Sequence, residues 1–200
     1  MGSHKMRGGP VGLLLKPEGL MTVEPLPIAG ALLVTPTVYT DARGSFAEIF
    51  SSERYADAGM VERFVQDNLS LSRRDVLRGL HGDPRMSKLV QVLSGEAFDV
   101  IADAREESPT YGRWYGTLLK ASERRQVYVP QGCLHGFLAL SGEVVFLYKQ
   151  SALYDPGSEF GVAWDDPQLA IAWPLKGRSP ILSAKDTINP RLAELVARRA

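Results

Sequence analysis

One cysteine, Cys133, is the whole thiol content of these 200 residues, so an intramolecular disulfide framework is excluded. A lone thiol fits a reducing cytosol better than a secreted setting and reads as a small, buried, inert side chain. Net charge is lacking too, since 23 Lys and Arg balance 23 Asp and Glu. No broad field therefore favours DNA, RNA or an anionic membrane, and any anionic ligand must be small and held in a local basic pocket. No apolar run approaches the ~20 residues of a spanning helix. Leu13-Leu14-Leu15 is interrupted by Lys16 and Pro17, and the leader lacks a long apolar segment of the secretory type. Internal repeats, G-x-G-x-x-G after a strand, G-x-x-x-x-G-K-[ST] and G-x-S-x-G are all absent, so dinucleotide-fold and serine-hydrolase readings drop out.

Histidine is scarce as well: there are three, and His4 lies in a Gly/Ser-rich leader. The other two, His81 and His135, stand beside glycines and next to strand-like runs, a placement that suits proton transfer as well as a hydrogen-bonded core or turn. The chain has no H-x-H and no H-x-x-x-H, so the three-histidine metal set of many jelly-roll barrels cannot be assembled. A catalytic metal is not expected.

A chain that is 44% hydrophobic and 23% charged fits one globular domain with a core that needs no staples. Residues 1 to about 20 are Gly-rich and aperiodic and read as a flexible extension, with the domain spanning 21–200. From Met21 onward, short apolar and β-branched runs recur between turn residues: 31–34, 88–93, 97–102, 126–129 and 144–149. With no long helix between them, they predict an all-β, antiparallel jelly-roll (cupin-like) barrel with a few short peripheral helices. One helix is expected after Ser51, ending at Gly59. A terminal helix is expected with Asn189 as N-cap, Pro190 at N1 and an apolar face of Leu192, Leu195 and Val196.

Strand alternation selects side chains that can share a cavity. Tyr148 lies on the face of Val144 and Phe146, so an inward face would carry a phenol; a structural role with a satisfied hydroxyl is the alternative. Lys88 lies on the face of Val90 and Val92, and either snorkels outward or is held for an anion. Arg78 and His81 are three apart and would fall on opposite faces of a straight strand. Gly79 between them offers a bulge that can re-aim both.

The ordered series Phe64–Asn68, Leu77-Arg78-Gly79-Leu80-His81, Lys88-Leu89-Val90, Ser108–Trp114, Pro130–Phe137, Phe146–Lys149 and Leu182–Asp186 resembles the RmlC-like nucleotide-sugar epimerases, and within them the dTDP-4-dehydrorhamnose 3,5-epimerases, over roughly residues 24–192. The resemblance implies inversion of the carbons flanking the C4 ketone of a dTDP-4-keto-6-deoxyhexose. It implies His81 as base, Asp186 as its orienting partner, Tyr148 as proton donor on the opposite face and Lys88 as the charge beside the enolate oxygen. His135 would line the sugar pocket and Arg78 would contact the diphosphate. Gln66, Asp67, Asn68, Glu159 and Lys185 match further contact positions, and Tyr154 the aromatic that stacks on the base. Arg43 and Glu48 match residues that reach into a neighbouring subunit's site, which implies a homodimer. No cofactor is implied, because the ketone is the electron sink.

The chain departs from the pattern where Gly82-Asp83-Pro84 follows the base and the loop to Lys88 looks shorter. That bears on which hexose is used, and on whether both carbons or only one are inverted. A single-carbon epimerase, a metal-dependent cupin enzyme and a non-catalytic sugar-nucleotide-binding jelly roll stand as alternatives.

Overall fold

A computed structural model describes residues 19–197, so the flexible extension expected over residues 1 to about 20 lies almost wholly outside the described residues. Two antiparallel sheets face one another. The six-stranded sheet runs, edge to edge, β1 (Met21–Pro25), β2 (Leu32–Pro36), β10 (Gln126–Val129), β7 (Lys88–Ser94), β12 (Glu143–Gln150) and β5 (Gln66–Arg73). The five-stranded sheet runs β13 (Phe160–Gly161), β6 (Leu77–Gly82), β11 (Cys133–Ala139), β8 (Glu96–Asp103) and β9 (Trp114–Lys120). Strands β3 (Tyr39–Asp41) and β4 (Gly44–Phe46) form a separate exposed hairpin. Most neighbours in the sheets are distant in sequence, as in the expected all-β jelly roll.

The core lies between the sheets, where Val90, Val92, Val144 and Phe146 meet Ile101, Leu119 and Phe137. The Phe137 and Phe146 rings stack at 4.2 Å and 9°. Strand β8 reads as nearly continuous apolar sequence because both of its faces are covered. Ala97 and Ile101 enter the inter-sheet core, while Val100 and Ala102 pack outward on Leu134, Val162, Leu169 and Leu192. A third cluster covers the outer face of the six-stranded sheet, where Tyr55 and Met60 pack on Leu32, Val34 and Leu89.

The first helix, α1 (Ser52–Asp57), starts after Ser51 as expected, although the Ser51 hydroxyl makes no capping bond. The terminal helix corrects the expectation. Helix α2 (Leu192–Ala197) begins two residues after Pro190, and its leading amide, Leu192 N–H, donates to the Asp166 carboxylate at 2.8 Å rather than to Asn189. Leu192 and Leu195 are buried as predicted, while the Val196 side chain lies outside the described set.

Strand β5 inverts the usual pattern. Gln66, Asn68, Ser70 and Ser72 alternate inward, whereas Leu69 and Leu71 face outward at 65% and 61% exposure. A polar inner face is what a barrel wall presents to a wet cavity rather than to a core.

Candidate active site

Where the two sheets part, an open cavity of about 450 Å3 is lined by β5, β6, β7 and β12, by Tyr154 and Glu159, and by the segment 181–186. That last segment is fastened along β6, with Leu77 N–H donating to Ile181 O at 3.0 Å and Ile181 N–H to Asp75 O at 2.8 Å. The fastening brings Asp186 back to His81 across 105 positions of sequence.

Both Arg78 and His81 line this cavity. Their co-orientation follows from a bulge: His135 opposes His81 and Phe137 opposes Arg78, so a three-residue step on β6 matches a two-residue step on β11. Gly79 makes this possible. Its φ is 122°, and a Cβ there would sit 2.6 Å from Gly136 Cα and 2.8 Å from His135 O, backbone on backbone.

His81 Nε2 and Asp186 Oδ1 are 2.5 Å apart, with the imidazole 23% and the carboxylate 3% exposed. Burial pushes the Asp186 carboxyl up, but the hydrogen bond and charge of His81 and the hydrogen bonds from Ser183 and Gly79 outweigh it and hold the group below the usual carboxylate range. An anionic carboxylate fixed on one ring nitrogen sets the tautomer and leaves the other nitrogen available.

Tyr148 enters from β12 in the opposite sheet, and its hydroxyl lies 3.2 Å from Ser70 Oγ. Burial pushes its phenol above the ordinary tyrosine range, so it stays protonated at neutral pH. Lys88 enters from β7, with Nζ donating to His81 O at 3.3 Å. Burial lowers its ammonium from 10.5 to about 8, against the pull of Asp83 and helped by the push of Lys185. Among the described residues Arg78 donates only to Ser72 Oγ at 3.0 Å and Leu71 O at 3.3 Å. Among the described residues neither Arg78 nor Lys88 forms an ion pair, whereas Lys149, Lys185, Arg43, Arg54, Arg85 and Arg105 all do. Two unpaired cations at one cavity describe a site for an anion.

The other sequence-derived positions divide. Asn68, Tyr154 and Glu159 line the cavity. Gln66 stands behind them, donating to Asn68 Oδ1 at 3.0 Å and accepting the Tyr154 N–H at 3.0 Å. Asp67 points outward and pairs with Lys149 at 2.8 Å. Lys185 pairs with Glu159, to which the Tyr154 hydroxyl also donates at 3.4 Å. His135, expected at the sugar pocket, is buried behind the lining. It sits on Asp99 at 2.7 Å with its ring 6.2 Å from that of Tyr148. It lies opposite His81 on β11, every residue of which is buried. Arg43 and Glu48 lie away from the cavity, paired locally with Asp41 and Arg54.

Several cavity residues have no role in the reading of the sequence above. Gln150 accepts from Asn68 Nδ2 at 3.1 Å, Ser70 holds the Tyr148 hydroxyl, and Ser183 holds the Asp186 amide at 3.1 Å. Alternation along β5 and β12, read with the inner face polar, places the first two. Among the described residues no three His, Cys, Asp or Glu side chains are grouped to hold a metal ion, and no helix is long and apolar enough to cross a membrane.

Comparison with known proteins bears on the same arrangement. The family described as dTDP-4-dehydrorhamnose 3,5-epimerase matches residues 25–194. A dTDP-4-dehydrorhamnose 3,5-epimerase of Methanothermobacter thermautotrophicus is 48% identical over 78% of this chain and 86% of its own length. A dTDP-4-dehydrorhamnose 3-epimerase of Streptomyces niveus is 43% identical over 87% of this chain and 85% of its own. The crystal structure of the 3,5-epimerase RmlC from Legionella pneumophila, in complex with dTDP-4-keto-L-rhamnose, superposes with a TM-score of 0.85 at 44% identity, covering 89% of this chain and 96% of that one. Sequence, fold and cavity agree, and this chain belongs to the dTDP-4-dehydrorhamnose 3,5-epimerase family.

Proposed function

We propose that the chain is a cofactor-independent epimerase that inverts C3 and C5 of a dTDP-4-keto-6-deoxyhexose in deoxysugar biosynthesis. The observation that carries this is the His81–Asp186 pair set in the same cavity as Tyr148, which comes from the opposite sheet, with the unpaired Lys88 beside His81. Hydrogens beside the C4 ketone are the acidic carbon sites of such a sugar. His81 takes one of them, the electrons move onto the ketone oxygen as an enolate, and the Lys88 ammonium stabilises that oxygen. Tyr148 then donates its proton to the carbon from the other face, and solvent restores the phenol and the neutral imidazole. The same sequence at the second flanking carbon completes the double inversion.

Arg78, unpaired at the mouth, suits a diphosphate, and Tyr154 with Gln66, Asn68, Glu159 and Lys185 suits the nucleoside end. Asp67 and His135 act through neighbours rather than on the ligand directly. We read residues 21–200 as the domain that carries this activity, working in the cytoplasm, where a buried free Cys133 is at home. A homodimer completes the site. Arg43 does not line the His81 cavity of its own subunit and its side chain is 90% exposed, on a hairpin that also exposes Tyr39 and Phe46, while Leu69 and Leu71 present an apolar strip on the edge strand β5.

The test is an NMR time course of the keto sugar nucleotide in deuterium oxide: label washed into both C3 and C5 is expected. Label at one carbon alone selects the single-carbon reading, which the Streptomyces niveus relative favours. No label at carbon rejects epimerisation.

A further inference from the structure

None of the roles above uses the loop that follows the base, Gly82-Asp83-Pro84-Arg85. Its carboxylate is only 4% exposed, yet it is saturated with donors. Asp83 Oδ1 accepts the Arg85 amide at 2.9 Å and Arg85 Nε at 3.2 Å; Oδ2 accepts Arg85 Nη2 at 3.1 Å and the Ser158 hydroxyl at 2.5 Å. Arg85 also bonds Ser158 Oγ and reaches Asp155 at 3.5 Å. Burial pushes the Asp83 carboxyl up, and the bonds from Arg85 and Ser158 overcome it, holding the group below its usual range. The backbone is fastened too, since Gly132 N–H donates to Asp83 O at 3.1 Å.

The partner of this carboxylate is the informative part. Ser158 sits in the surface segment 153–159, which forms no strand and carries two cavity-lining side chains, Tyr154 at one end and Glu159 at the other. The segment has few other anchors: Ser158 and Asp155 on Arg85, which Asp83 itself holds, Tyr154 N–H on Gln66, and Glu159 on Lys185. An irregular loop held at so few points loses conformational freedom when a ligand orders it, and that loss weakens binding. A buried carboxylate that holds its centre in advance removes part of the cost.

We infer that Asp83 is a positioning residue, clipping the Tyr154–Glu159 segment to the loop behind His81 so that the nucleotide end of the cavity is preformed. The inference rests on the proposed function for its ligand and deepens it: the loop after the base governs nucleotide affinity rather than the carbon chemistry.

The experiment compares wild type, Asp83→Asn, Ser158→Ala and the double variant. Calorimetric titration with dTDP should show each single variant about five- to tenfold weaker, and the double no weaker than Ser158→Ala, because both changes break the Asp83–Ser158 contact and Ser158→Ala also removes the Arg85 bond to the same hydroxyl. KM for the sugar nucleotide should rise in parallel while kcat stays within about twofold, a split that general loss of structure would not produce. Hydrogen exchange in the ligand-free protein should be faster at the amides of Asp155, Gly157, Ser158 and Glu159 in both single variants. Unchanged amide exchange overturns the clip, as does unchanged dTDP affinity in a wild type that binds dTDP. A fall in kcat with affinity intact also overturns it and moves Asp83 to the chemistry through Lys88. A wild type that binds no dTDP and turns over no keto sugar removes the proposed function, and amide exchange then decides the clip on its own.

Discussion

Replacing Lys88 with methionine should make the protein more stable at neutral pH while removing its activity. Lys88 Nζ has one hydrogen bond, to His81 O at 3.3 Å, and no ion pair among the described residues. Desolvation of its ammonium outweighs that bond and the pull of Asp83, and burial lowers it from 10.5 to about 8. At about 1.4 kcal/mol per tenfold, that drop corresponds to roughly 3 kcal/mol of folding free energy withheld while the group is charged in both states. The sign follows from proton counting. Below pH 8 the folded and unfolded chains both carry the proton, and the full cost is present. Between about 8 and 10.5 the unfolded chain binds more protons than the folded one, so wild-type stability rises with pH, and above 10.5 the cost is gone. Methionine fills a similar volume without a charge. Urea unfolding of both proteins at pH 7 and pH 10.5 should show Lys88→Met ahead by about 2–3 kcal/mol at the lower pH and nearly level at the higher. Subtracting the two proteins cancels every other titrating group. A variant that is equal or weaker at pH 7, or an advantage that does not change with pH, would refute the claim that this lysine is held against its own solvation.

Gly79→Ala should lose about 2 kcal/mol or more of stability, read as a drop in the urea midpoint, because a Cβ at φ 122° meets the β11 backbone at 2.6 Å; an unchanged midpoint would mean that the bulge relaxes freely. Asp186→Asn should fold normally and slow turnover about a hundredfold or more, since the His81 ring loses its anionic partner, and near-wild-type turnover would remove Asp186 from the mechanism. Arg78→Lys should weaken dTDP about tenfold in calorimetry, because a point charge replaces a fork of donors; equal affinity would place the diphosphate elsewhere.

The barrel was legible where strands carry dense apolar sequence. Residues 88–93, 97–102 and 144–149 each carry enough apolar side chains to be read as strand from the pattern alone, and each is one. Strand β5 was not legible as a strand, because its inner face is polar and its outer face carries Leu69 and Leu71, the reverse of a half-buried strand on a dry core. Arg78 and His81 could be named from a five-residue motif, yet alternation alone separates them. Only the bulge at Gly79, opposite Gly136 of a strand 57 residues away, turns both into the cavity. Asp186 is further removed. Only the resemblance carried by Leu182–Asp186 marks it, and its role depends on a C-terminal segment bonded along β6. The terminal helix shows the same limit, because its capping group is Asp166, which lies 26 positions upstream of the amide that it accepts.

The central claim is that His81 and Tyr148 address one carbon from opposite faces, and Tyr148→Phe tests it most directly when solvent exchange and inversion are followed together by NMR in deuterium oxide. With the phenol gone, His81 can still remove the proton and return a deuteron to the same face. The account predicts label entering the sugar at carbon with the original configuration retained, while His81→Asn shows neither label nor inversion. Inversion persisting in Tyr148→Phe, or label still entering carbon in His81→Asn, would contradict it.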